Sequence, residues 1–149
     1  MQTPETTAET EVRDVLARWF QAVSAKDVDG ITAVYAPDIT AYDAILELQF
    51  TGVDAYREHW RTCMAFCEGQ FVFDPEALHV AAGGDVAFAH FLVRCGQVTD
   101  TGGEQLGWMR STIGLRKVGG AWKITHEHHS APFDPETSKA LLNLEPDAT

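Results

Sequence analysis

Cysteine is scarce in this chain. Its three cysteines, Cys63, Cys67 and Cys95, contain no C-x-x-C pair, so neither a disulfide framework nor a cysteine-rich metal site is expected. The i, i+4 spacing of Cys63 and Cys67 suits packing on one helix face. Positive charge is also short: 11 Lys and Arg stand against 22 Asp and Glu, a net charge of −11. That balance argues against a nucleic-acid backbone or an anionic membrane as partner. No apolar run reads as a membrane span, and the stretch Met1 to Thr10 is too polar and acidic for a signal peptide, so a cytoplasmic location is expected. No G-x-G-x-x-G run opens a helix, so no nucleotide loop is proposed. Internal repeats, low-complexity segments and linkers are absent.

What is present is one domain's worth of patterned chain: 149 residues, 45% hydrophobic, enough for a proper core. Residues 1–8 read as a flexible lead-in. From Glu9, Val12, Val15, Leu16, Trp19, Phe20 and Val23 recur at helical spacing, with Thr7 or Thr10 as cap. Asp27 caps a short second helix, Val28 to Tyr35, stopped by Pro37. Residues 39–43 alternate like a strand, and Leu46 to Phe50 like a second. A third helix runs from Val53 to about Phe66. Four strands then follow, at 70–80, 86–98, 105–118 and 121–130, joined by glycine turns as an antiparallel meander. A helical turn is expected within the tail, residues 134–149. Helices first and a meander afterwards predict an α+β domain.

The last strand changes character midway. Ala121 to Thr125 is amphipathic; His126-Glu127-His128-His129 then places three histidines and a glutamate side by side. Two histidines on one strand face are too few to hold a metal without a third ligand at the right distance, so no metal site is assigned. The run can supply an acid or a ligand-orienting imidazole, or simply hydrogen-bond the strand to its neighbours. Alternation from Trp122 and Ile124 points His126 and His128 inward.

The order of elements, the strings Leu16-Ala17-Arg18-Trp19-Phe20 and Tyr35-Ala36-Pro37-Asp38-Ile39-Thr40-Ala41-Tyr42-Asp43, and the ending Trp122 to Pro132 resemble the NTF2-like superfamily. That is the cone-shaped fold of ketosteroid isomerases, SnoaL-type cyclases, scytalone dehydratase and the kinase II association domain. The resemblance spans residues 9–133. It implies three N-terminal helices packed on a strongly curved antiparallel sheet. It also puts Asp43 at the isomerases' general-base position, and Tyr35, Trp19 and Trp60 at their supporting phenols. The second oxyanion acid has no counterpart among Ser111, Thr112, Ile113 and Gly114, which speaks against a steroid isomerase. Because the corresponding strand bends in the family, the resemblance turns Glu127 and His129 inward instead.

These readings together predict a site with Asp43, His129 and His126 as catalytic residues. Its walls would come from Trp19, Tyr35, Tyr56, Trp60, Phe91, Val93, Ile113, Glu127 and His128. In an apolar cone the pKa of Asp43 should rise. The expected activity is cofactor-independent proton transfer on a small hydrophobic carbonyl compound, of isomerase, cyclase or dehydratase type; no cofactor is called for. The alternative is a ligand-binding or assembly module without chemistry. In either case the outer sheet face, with His90, Arg94 and Arg110, is the expected homodimer surface.

Overall fold

The structure is a computed structural model and describes residues 4–147; the first three residues of the expected lead-in lie outside it. Three helices and six strands follow in the order α1 (Thr7–Ser24), α2 (Val28–Ala33), β1 (Tyr35–Tyr42), β2 (Phe50–Thr51), α3 (Val53–Ala65), β3 (Gln70–Gly83), β4 (Val86–Val98), β5 (Glu104–Val118) and β6 (Ala121–Ser130). This is the expected α+β fold, with the expected three helices. The strands form one sheet in the order β2-β1-β6-β5-β4-β3. The meander β3 to β6 is antiparallel, while β1 adds to β6 in parallel, making the sheet mixed.

Helix α1 starts earlier than its apolar spacing indicates. Thr6, and neither Thr7 nor Thr10, is the cap: its hydroxyl accepts from the Glu9 amide at 3.1 Å while the Glu9 carboxylate accepts from the Thr6 amide. This reciprocal box satisfies two amides that the first turn would otherwise leave bare. Helix α2 is capped by Asp27 as expected but ends at Ala33, because Pro37 disfavours helical backbone just before it and Tyr35 is already paired with β6. The stretch Leu46 to Phe50 is not a strand: only Phe50 and Thr51 pair, and Leu46 and Leu48 are exposed.

The core lies between α1, α3 and one face of the sheet. Val12, Leu16, Trp19 and Val23 of α1 have no exposed surface, each apolar side chain contributing roughly 1.5–3 kcal/mol by leaving water. Trp19 is the hub, with the rings of Phe73, Phe91, Trp60 and His129 5.4 to 6.5 Å away. On the sheet, Ala89, Phe91, Val93, Ser111, Ile113 and Leu115 are buried, whereas Phe88, His90, Arg94 and Arg110 are exposed on the other face.

No helix forms in residues 134–147. A turn at 135–137 and a bridge between Phe133 and Ala140 fold the tail back, and the Leu142 carbonyl accepts from the Trp108 amide at 2.9 Å. Gly107 makes this docking possible, since a Cβ there would stand 2.8 Å from both the Leu142 Cβ and its carbonyl oxygen. Gly107→Ala is therefore expected to lift the tail off β5. Trypsin should then cleave after Lys139 several-fold faster than in the parent; an unchanged rate would show that the tail is held elsewhere.

Candidate functional site

One residue decides which groups of β6 reach the interior. Gly114 pairs with His126 and Leu115 with Ile124, so Thr125 is an extra residue in the ladder, a β-bulge. Trp122 and Ile124 face the core before it, and Glu127 and His129 face the core after it. His126 and His128 are turned to the opposite side, beside the half-exposed ring of Tyr42, with His126 Nδ1 against the Thr40 carbonyl at 2.7 Å. The inward placement expected from alternation is thus corrected, and neither His126 nor His128 lines the cavity. The placement implied by the family resemblance is the one observed.

A cavity of about 500 Å³ opens between α3, the ends of β4 and β5, and the tail. Its walls are apolar: Phe71, Phe73, Val93, Met109, Trp60 and Leu142. Its polar groups are Asp43, His59, Ser111 and His129, with Cys63 and Cys95 close by and Glu104 and Gln105 toward the mouth. Of the residues expected there, Asp43, His129, Trp60 and Val93 line it. Trp19, Tyr35, Tyr56, Phe91, Ile113 and Glu127 are buried behind its wall. A larger groove, about 780 Å³, lies between α1, α2 and the start of β6. Three acids line it, Glu11, Asp14 and Asp27; Glu11 is already engaged by Trp122 and Lys117, and Asp27 caps α2.

Asp43 sits just past β1, where its Oδ1 accepts the Ile45 amide at 3.2 Å and fixes the turn. The His59 Nε2 stands 3.5 Å from Oδ1 and the Tyr56 hydroxyl 3.0 Å from Oδ2. Burial pushes the Asp43 pKa up, but His59, His129 and Tyr56 together outweigh burial and hold it below the usual carboxylate range. The expected rise is therefore corrected: neighbouring imidazoles win over the apolar surroundings. Burial alone would lower the His59 pKa; the bond to Asp43, with help from Cys63 Sγ at 3.5 Å, instead raises it to about 9. His59 was missed in the sequence because it sits among helix-spaced residues of α3 with no sign that β1 would deliver a carboxylate to it.

Behind the wall lies Glu127, a carboxylate with no exposed surface. Its Oε2 accepts from the Tyr56 hydroxyl at 2.8 Å and faces His129 Nε2 at 2.9 Å. The other nitrogen of that ring, Nδ1, lies 2.7 Å from Ser111 Oγ. Burial opposes charge on His129, yet the bond to Glu127 and the nearby carboxylates raise its pKa and favour the imidazolium. Tyr35 Oη takes both indole donors, Trp19 Nε1 at 3.1 Å and Trp60 Nε1 at 3.0 Å, so the N–H groups of those two tryptophans are spent on a phenol. Burial, then the charge of Glu127, keeps the phenols of Tyr35 and Tyr56 protonated far above neutrality. Among the described residues, no group of three His, Cys, Asp or Glu side chains is placed to hold a metal ion, and no helix is long and apolar enough to cross a membrane.

The raised His59 pKa carries a sign. The stability from the His59–Asp43 pair is present in full below pH 6.5 and is lost as pH rises through about 9. The unfolding free energy from urea titration should fall over that window by roughly 1–2 kcal/mol, discounted because water at the cavity screens the pair. His59→Gln should flatten the profile there; an undiminished fall would assign it to another group.

Residues 12–134 match the family described as the SnoaL-like domain. An NTF2-like protein of unknown function from Pseudomonas putida KT2440 is 51% identical in sequence, with a TM-score of 0.89 over 97% of this chain and 100% of that one. Aln2 from a Streptomyces species matches at 14% identity and a TM-score of 0.74, over 87% of this chain and 93% of that one. A ketosteroid isomerase-like protein from Erwinia carotovora atroseptica SCRI1043 matches at 16% identity and a TM-score of 0.71, over 85% and 97%. The last two likenesses concern the fold alone. No curated protein matches the chain in sequence.

Proposed function

The chain belongs to the SnoaL-like family, and from that premise we propose that it catalyses proton transfer on a small hydrophobic carbonyl compound held in the cavity. The observation that carries the reading is the convergence of a carboxylate and a serine–histidine pair on one apolar-walled space. Asp43 is the base. Its carboxylate takes a proton from the carbon next to the carbonyl, and the C–H electron pair moves into the enolate. The carbonyl oxygen receives a hydrogen bond, and then a proton, from the Ser111 hydroxyl, which is replenished by His129 Nδ1–H. Returning the proton at the same or a neighbouring carbon gives exchange or isomerisation; loss of a β-hydroxyl gives dehydration.

Asp43, held at low pKa by His59, is a weak base, so the reading favours carbon acids already activated by a carbonyl. The larger part of the acceleration then falls to Ser111 and His129, which meet the developing oxyanion with pre-placed donors. A binding module without chemistry is the second reading. It is favoured by the fact that both nitrogens of His129 already face protein groups, so the ring reaches a ligand only through Ser111.

The test is deuterium incorporation next to the carbonyl, followed by NMR in D2O, across a panel of aryl and cyclic ketones with and without a β-hydroxyl. The parent should exchange at least one of them well above buffer. Asp43→Asn should lose about a hundredfold or more, and Ser111→Ala should fall clearly too. Binding of a ketone with no enhanced exchange, equal in parent and Asp43→Asn, selects the module instead.

A further inference from the structure

Tyr56 makes two contacts with one proton. Its hydroxyl lies 3.0 Å from Asp43 Oδ2 and 2.8 Å from Glu127 Oε2, yet a phenol donates only one hydrogen bond. Both contacts are satisfied together only when one of the two carboxyls carries a proton and donates it to the phenol oxygen. Two such arrangements exist, with the proton on Asp43 or on Glu127. They interconvert by a paired shift of two protons along the Tyr56 oxygen, without movement of any heavy atom.

Glu127 has a reason to take that proton at one moment of the cycle. It is wholly buried, its Oε1 has no hydrogen-bond partner, and its one compensating charge is His129. A buried carboxylate that loses its partner's charge is strongly disfavoured. In the proposed reaction His129 becomes neutral by passing its Nδ1 proton to Ser111 while Asp43 becomes protonated. Resting on that reading, we propose that Tyr56 and Glu127 form an internal proton sink for the site. As His129 loses its charge, the proton on Asp43 moves to Tyr56 Oη and the Tyr56 proton moves to Glu127 Oε2. Asp43 is left ionised, Glu127 is left neutral beside a neutral imidazole, and the count of protons and charges is unchanged. Tyr56 and Glu127 are positioning residues here, acting through Asp43 and His129. The other ionisable groups around them are Tyr35 from β1, His59 and Cys63 from α3, and Cys95 from β4, and Ser111 of β5 closes the ring of polar contacts.

The sink can be read without a substrate. His129→Gln makes the neutral state permanent. At pH 7 its infrared difference spectrum against the parent should contain the carbonyl stretch of one protonated, buried carboxyl group, and the double variant His129→Gln/Glu127→Gln should lose that band. A folded His129→Gln without the band overturns the proposal. Glu127→Gln, which resembles the loaded sink, gives a second reading should His129→Gln not fold. There 15N NMR should find His129 neutral at pH 7, and an imidazolium that persists overturns the coupling. With any ketone that exchanges, Tyr56→Phe should make steady-state exchange rise several-fold with added imidazole or formate buffer, while the parent is insensitive to buffer. Equal insensitivity in both removes Tyr56 from the path. Absence of exchange by the parent would count against the enzymatic reading alone, because the infrared and nitrogen signals do not require turnover.

Discussion

Everything at the interior end of the sheet is arranged around one buried negative charge. Glu127 sits at the centre of the fold without solvent, and a carboxylate there is tolerable only with a matched partner and well-aligned donors. Tyr56 reaches it from α3 and His129 from two residues along its own strand. Those two contacts tie the helix to the sheet at the same place where the cavity begins. Replacing such a charge with a packed apolar group is often neutral or stabilising, so folding strength alone does not account for it.

The polar cluster also explains why the apolar cavity does not make Asp43 a strong base. Desolvation and neighbouring cations act in opposite directions on a carboxylate, and here the cations prevail. The result is a cavity with the Asp43–His59 pair on its wall and, through His129, the buried Glu127 just behind it, among phenylalanine, valine, methionine and leucine. The two tryptophans, set by the sequence resemblance at the isomerases' supporting phenols, are donors to Tyr35, which keeps that phenol's oxygen occupied and its ring fixed against Tyr56.

Periodicity carried the fold. The helix faces of α1 and α3, the glycine turns and the two faces of β4 and β5 could all be read from spacing, since burial of a continuous apolar stripe leaves little choice of register. Local chemistry that does not alternate was less legible. Thr6 caps α1 although it precedes the apolar-spaced residues by several positions, and the 46–50 segment alternates like a strand although nothing pairs with it before Phe50. In the site, Asp43 and His129 were legible through the resemblance. His59 and Ser111 were not assigned roles, because each is ordinary in its own helix or strand and acquires meaning only through a partner brought from another element.

Thr125 has a consequence for comparing this chain with its relatives. The strand is two half-strands in antiphase, joined at a residue that belongs to neither. An alignment drawn straight through that joint, matching a relative that lacks the insertion, would exchange the dry side for the wet side from residue 126 onward. It would credit His126 and His128 with the inward placement of their neighbours. Whether two members of the family share a site is therefore a question of where the gap is opened, ahead of any question of which residues are identical.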